Sequence, residues 1–235
     1  MKELLSFLSD LHDNNNREWF TENKERYLAS LATHRANVTK LIAGIQAFDA
    51  SVGTPTIENS TYRIYRDTRF SADKTPYKDF FSAFIARGGK KSGYLGYYLH
   101  ISPKGNTWGE GSFIAAGNVC PEAFLLRSMR EEIMDNAVSI EKAIAESGFS
   151  LDTSNALKRV PRGYTVAPEY EYLLRQKEFC LVHQLDSDWF LQPNWVEQTL
   201  SLFQKATPFI TIMNRAIEFA YEEKKGIIAK KSKLY

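Results

Sequence analysis

DFFSAFIARGGKKSGYLGYYLHIS, residues 79–102, decides the fold. Two runs rich in aromatic and β-branched residues, DFFSAFIAR and YLGYYLHIS, flank GGKKSG, whose glycines and serine are turn chemistry. The pattern predicts two antiparallel strands joined by a hairpin. With Arg87 placed near Tyr94, Phe80, Phe84, Leu95, Tyr97, Leu99 and Ile101 share one face, the core side. Asp79, Phe81, Arg87, Tyr94, Tyr98, His100 and Ser102 then share the opposite, half-polar face, where a site could lie. A slip of one residue in the loop would exchange the two faces.

Further strands are expected on both sides of this hairpin: YRIYRD before it, TWGEGSFIA after the turn SPKGN, and KEFCLVHQL later. The flanks read as helices. ELLSFLSDL gives a short one, and Asn16 offers an N-cap for a long helix starting near Arg17, because its side-chain oxygen can accept from a free amide of the first turn. Trp19, Phe20, Tyr27, Leu28, Leu31, Val38, Leu41, Ile42 and Ile45 recur at helical spacing. After Pro121 a second helical region, whole or interrupted once, closes at Gly148. A long C-terminal helix must kink or split at Pro208, which lacks a backbone donor and clashes one turn back. The fold class is therefore α+β: a central antiparallel meander of about four to six strands, packed by long N- and C-terminal helices. Residues 1–235 form one domain, with a basic, loosely ordered tail from about residue 222.

At 235 residues the chain can bury a core without staples. Cys120 and Cys180 stand far apart and belong to no Cys-x-x-Cys or Cys/His cluster, which points to a reduced intracellular protein. The N-terminus is too interrupted for a signal peptide, and no run approaches the roughly 18 apolar residues of a membrane span. The expectation is a cytoplasmic protein with no membrane partner. Net charge is only +2, so the overall field does not argue for nucleic acid.

The motifs NNNREWFTENKERY (residues 14–27), RIYRDTRFSADKTPYK (63–78), LKRVPRGY (157–164) and TPFITIMNRAI (207–217) resemble those of DUF2461, a family of unknown function. The resemblance spans nearly the whole chain. It implies fold membership and a single domain, and it brings no activity, cofactor or catalytic residue with it.

Charge is concentrated where that resemblance is most specific. Between Asn59 and Lys91 eight Lys or Arg face three Asp, a local +5. Arg63, Arg66 and Arg69 alternate faces on a strand, but DTRFSADKTPYK carries turn residues that would fold Arg69, Lys74 and Lys78 back beside it. Two cations about 6 Å apart repel by roughly 3 kcal/mol at an effective dielectric near 20. The functional reading is a small anionic or phosphorylated ligand held by Arg63, Arg66, Arg69, Lys74 and Lys78, with Asp67 and Tyr77 as positioning groups. Lys158, Arg159 and Arg162 in a Pro/Gly-bearing loop could join the same surface. The bland reading pairs these cations with carboxylates of the protein itself. Two alternatives from other classes are a nucleic-acid-binding module, with bases stacked on nearby tyrosines, and a scaffold for an acidic protein partner.

For catalysis the register above sets Asp79 diagonal to His100, with Tyr98 and Ser102 beside it, so a carboxylate could orient an imidazole. His12 is explained as well by a helix-entry turn, and His34 and His183 stand alone. No spacing suggests a metal site, and the sequence calls for no cofactor. SPKGNTWGEG departs from the phosphate-loop spacing and opens no helix, so it reads as a hairpin turn.

Overall fold

The computed structural model describes residues 1–103, 111–186 and 188–231. The turn expected in SPKGN, from residue 104 onward, and the last four residues of the basic tail lie outside the described residues. Helices α1 (Lys2–Asp13), α2 (Arg17–Glu22), α3 (Lys24–Phe48) and α4 (Ile57–Ser60) precede strands β1 (Phe81–Ala86), β2 (Gly96–Ile101) and β3 (Phe113–Asn118). Then come α5 (Ala123–Ser147), β4 (Ser150–Leu151), α6 (Glu171–Leu174), β5 (Phe179–Gln184) and α7 (Trp195–Lys231). The strands form one antiparallel sheet in the order β1-β2-β3-β5-β4, so β1 and β4 are its edges. The α+β class and the helical cover stand as expected.

The hairpin pairs Phe81 with Ile101, Ala83 with Leu99 and Ile85 with Tyr97. These side chains are buried together with Ile114, Ala116 and Leu181, and α3, α5 and α7 pack over the same core. This corrects the expected faces of β1. Phe81 lies on the core side, while Phe84 pairs with Tyr98 on the other face. The strand is shifted by one residue from the expected register, because adjacent aromatics at 80 and 81 fit either parity.

Asn16 does cap a helix, accepting from the Trp19 amide at 2.9 Å. That helix is short, however, and breaks at Asn23, whose side chain donates to the Trp19 carbonyl at 3.0 Å and competes with the backbone for it. The break brings Phe20 of α2 against Tyr27 of α3, ring centroids 5.0 Å apart. In α5 one interruption falls at Asn136, and Gly148 closes the helix in the left-handed region at φ 76°. Pro208 sits inside α7 without splitting it. Phe203, Ala206, Phe209, Ile210 and Met213 on both sides of it are buried in one core, and that burial outweighs a missing backbone bond. The basic tail continues α7 as helix to Lys231. YRIYRD is not a regular strand; its ladder pairing is limited to isolated bridges, Thr61 to Ala83 and Tyr65 to Tyr77. No helix among the described residues is long and apolar enough to cross a membrane.

Two histidines are enclosed by this packing. His34 of α3 is fully buried against Phe81, ring centroids 5.0 Å apart. Loss of hydration pushes its imidazole down to about 4. His100 is buried between Phe80 and Phe113, and burial pushes it to about 4 as well. Both folded values lie below that of the unfolded chain, so the unfolded chain binds more protons between pH 4 and 6.5 and stability falls as pH drops through that window. At about 1.4 kcal/mol per unit, each histidine accounts for roughly 3 kcal/mol. Urea denaturation at pH 7 and 4.5 is expected to show a smaller acid loss for His34→Phe than for the parent protein. Equal losses would refute this account.

Candidate functional site

The arm from residue 61 to 80, between α4 and β1, carries most of the cations and is an irregular hairpin. Its legs are held by Tyr62 N–H to Ser82 O at 3.2 Å, Lys78 N–H to Ile64 O at 2.8 Å and Arg66 N–H to Pro76 O at 2.9 Å. Asx and Thr chemistry shapes the tip, where Asp73 accepts from the Thr75 amide at 2.9 Å.

Three contacts dock this arm on the N-terminal helices. The Tyr77 ring stacks on Phe20, centroids 3.9 Å apart and planes 11° from parallel. The Asn15 side chain clamps the Tyr77 backbone, donating to its carbonyl at 3.0 Å and accepting from its amide at 3.1 Å. His12 Nδ1 meets Asp79 Oδ2 at 2.7 Å; the aspartate side chain is only 7% exposed and the histidine 38%. A buried carboxylate with so few partners is costly unless a cation or donor faces it.

Between arm and helices lies a cleft of about 230 Å³. His12, Asn15, Arg66, Asp73, Thr75, Lys78 and Asp79 are among the residues that line it. The arginines meet the protein's own acids more than expected. Arg69 forms a two-point pair with Asp67, at 2.9 Å from Nε and 2.7 Å from Nη2. That contact lowers the Asp67 carboxyl and raises the guanidinium. Arg66 donates to Asp73 and to the Thr75 hydroxyl through Nη1. The Asp73 carboxyl is held down to about 2, chiefly by the Thr75 amide and then by Arg66. Lys74 caps the Thr68 carbonyl at 3.0 Å.

Lys78 differs from all of these. Its side chain is half-buried, with the ammonium 5.4 Å from the Tyr62 ring centre and 5.7 Å from that of Phe80. Neither a carboxylate nor a hydrogen-bond acceptor pairs with it among the described residues. Desolvation, then Arg63 and Arg66, lower its ordinary value. Arg63 is exposed and forms no ion pair among the described residues.

The expected site is thus brought together only in part. Arg66 and Lys78 converge on the cleft, and Tyr77 lies in its wall with its ring committed to packing. Asp67 and Arg69 neutralise each other at the tip. Lys158, Arg159 and Arg162 are exposed in the loop after β4, at the opposite edge of the sheet from β1. Asp79 does not orient His100, which instead lies opposite Ser82 and has Nδ1 3.2 Å from the Tyr98 hydroxyl. Its Nε2 is buried without a partner among the described residues. The aspartate's partner, His12, was dismissed from sequence as part of a helix-entry turn. The sequence signal for it, and for Asn15 three residues on, is the density of polar side chains in LHDNNN after an amphipathic helix.

A family model described as conserved hypothetical protein (DUF2461) matches residues 3–211, and the chain belongs to that family. No curated protein and no solved structure matches it.

Asn15→Ala removes both bonds to the Tyr77 backbone and leaves part-buried polar groups unpaired, which costs about 1–3 kcal/mol. Asn14→Ala, which loses one exposed bond to Asp10 O, is expected to stay within about 0.5 kcal/mol. Urea denaturation checks the pair, and equal effects would mean that the clamp does not hold the arm.

Proposed function

We propose that this member of the DUF2461 family binds a small anionic ligand, a carboxylate or phosphate bearer, in the cleft between the arm and the N-terminal helices. The observation that carries the reading is Lys78, a half-buried cation with no counterion among the described residues, which lines the cleft together with a second cation, Arg66. Desolvating a positive charge is unfavourable unless an anion meets it, and a ligand anion would recover that cost. Arg66 uses only Nη1 for its internal bonds among the described residues, so its remaining donors are free for a forked contact. A cleft of about 230 Å³ is smaller than the usual pocket for drug-sized ligands and suits a few heavy atoms around one charged group. Both cysteines are free, which supports a reduced, cytoplasmic setting.

A second reading rests on Phe70, 96% exposed at the tip with the Arg69 guanidinium 5.8 Å from its ring centre. An unstacked base could lie on that ring. The balanced Asp67–Arg69 pair leaves little net charge there for a phosphate backbone, so the cleft is the better-supported site.

Titration calorimetry with inorganic phosphate and with pyruvate tests the main reading. Lys78→Met is expected to weaken binding about tenfold or more, the loss of one charge-assisted bond. Arg69→Ala is expected to change it less than about twofold. The reverse order would move the site to the tip. A labelled single-stranded oligonucleotide bound at low salt and lost in Phe70→Ala would favour the second reading.

A further inference from the structure

One cleft is lined by an amine without a hydrogen-bond acceptor among the described residues, an imidazole anchored by a buried carboxylate, and a guanidinium with donors to spare. We infer that Lys78 is a nucleophile that condenses with the carbonyl of a small oxo acid to form an imine, with His12 moving the proton and Arg66 holding the carboxylate. This rests on the anion-binding reading and names its substrate class.

The other lysines near the arm are occupied. Lys74 donates to the Thr68 carbonyl, Lys90 to the Glu58 carbonyl, and Lys24 to the Tyr65 hydroxyl at 3.3 Å. Lys78 alone of these four donates to none among the described residues. Its surroundings pull in two directions. The faces of Tyr62 and Phe80 favour the ammonium, whereas burial and the neighbouring Arg63 and Arg66 favour the neutral amine. Burial and these neighbours lower its ordinary value, in the direction of the neutral amine that acts as nucleophile. Thr75 and Tyr77, the cleft's hydroxyl side chains, are poor alternatives. The Thr75 hydroxyl is tied to Asp73 and Arg66, and the Tyr77 ring is stacked on Phe20.

His12 supplies the proton traffic. Its Nδ1 is fixed on Asp79, and Nε2 makes no hydrogen bond among the described residues. Nζ attacks the carbonyl carbon, the C=O pair moves to oxygen, and the resulting ammonium gives up a proton through His12 to that oxygen. His12, having taken up a proton from solvent, protonates the hydroxyl of the carbinolamine. The C–O bond breaks, water leaves, the nitrogen lone pair forms the C=N of an iminium, and the iminium N–H returns its proton to His12. Ketone and amine give imine and water, with no oxidant or reductant consumed. Asp79 acts through His12 and is a positioning residue.

Reductive trapping tests this on the full-length protein. It is incubated with pyruvate and sodium cyanoborohydride, and its peptides are mapped by mass spectrometry. The expected product is an N-carboxyethyl adduct on Lys78, formed at least about tenfold faster than on any other lysine. His12→Gln is expected to slow trapping about 100-fold while pyruvate still binds by calorimetry. Pyruvate binding through Lys78 with no adduct there, or with labelling spread evenly over exposed lysines, overturns the nucleophile and keeps the anion site. A protein that neither binds pyruvate nor forms the adduct refutes both readings. The parent protein alone decides between these outcomes, so a variant that failed to fold would not blunt the test.

Discussion

The contact between His12 and Asp79, with the Asn15 clamp beside it, fixes the arm against the first helices. Without that docking the arm is a twenty-residue excursion tied to itself by a few backbone bonds. With it, Tyr77 is pressed on Phe20, Lys78 is held half out of water, and Arg66 is set on the same cleft wall. The placement has an energetic logic. Asp79 is almost wholly buried, and a buried carboxylate is tolerated where a donor is held close to it. The same contact that relieves the aspartate anchors one imidazole nitrogen and leaves the other without a hydrogen bond among the described residues. A structural tether and a proton-transfer pair are therefore one arrangement viewed from its two ends.

Charge along the arm is sorted by this geometry. A local +5 in sequence suggests a single broad anion cradle, yet the cations near acids in the chain settle on those acids: Arg69 on Asp67 two residues away, and Arg66 on Asp73 seven away. These pairs are exposed and order the tip, in keeping with the small contribution of surface ion pairs. Among the described residues the cations left without a carboxylate partner include the exposed Arg63 and the half-buried Lys78, whose neighbour in sequence, Asp79, is claimed by His12. The positive potential available to a ligand is thus narrower than the composition implies.

Local chemistry made much of the fold legible. The strand runs of β2 and β5, the Asn16 cap and the Gly148 stop each depend on a few adjacent residues, and each is found where the sequence places it, whereas β3 shares only residues 113–115 with its expected run TWGEGSFIA. β1 was recognised, but its faces were exchanged, because Phe80 and Phe81 in succession carry no parity signal. β4, two residues long, is too short to show a period. The site was harder to read for a related reason. His12 and Asp79 are 67 residues apart, and Asn15 and Tyr77 are 62 apart. No local rule links a polar cluster after one helix to the backbone of a distant hairpin. Arg66 and Lys78 were legible as cations; which of them would remain unpaired was decided by the fold of the tip. The long helix α7 shows the converse, since Pro208 is a strong local stop signal overridden by apolar side chains buried on both sides of it.

The central claim is that Lys78 and Arg66 hold a positive charge in reserve for a guest. A crystal structure of the protein soaked with inorganic phosphate tests it most directly. The account predicts the anion in the cleft with an oxygen about 2.8 Å from Lys78 Nζ and a second on the Arg66 guanidinium. An empty cleft with Lys78 folded onto a carboxylate of its own chain would contradict it.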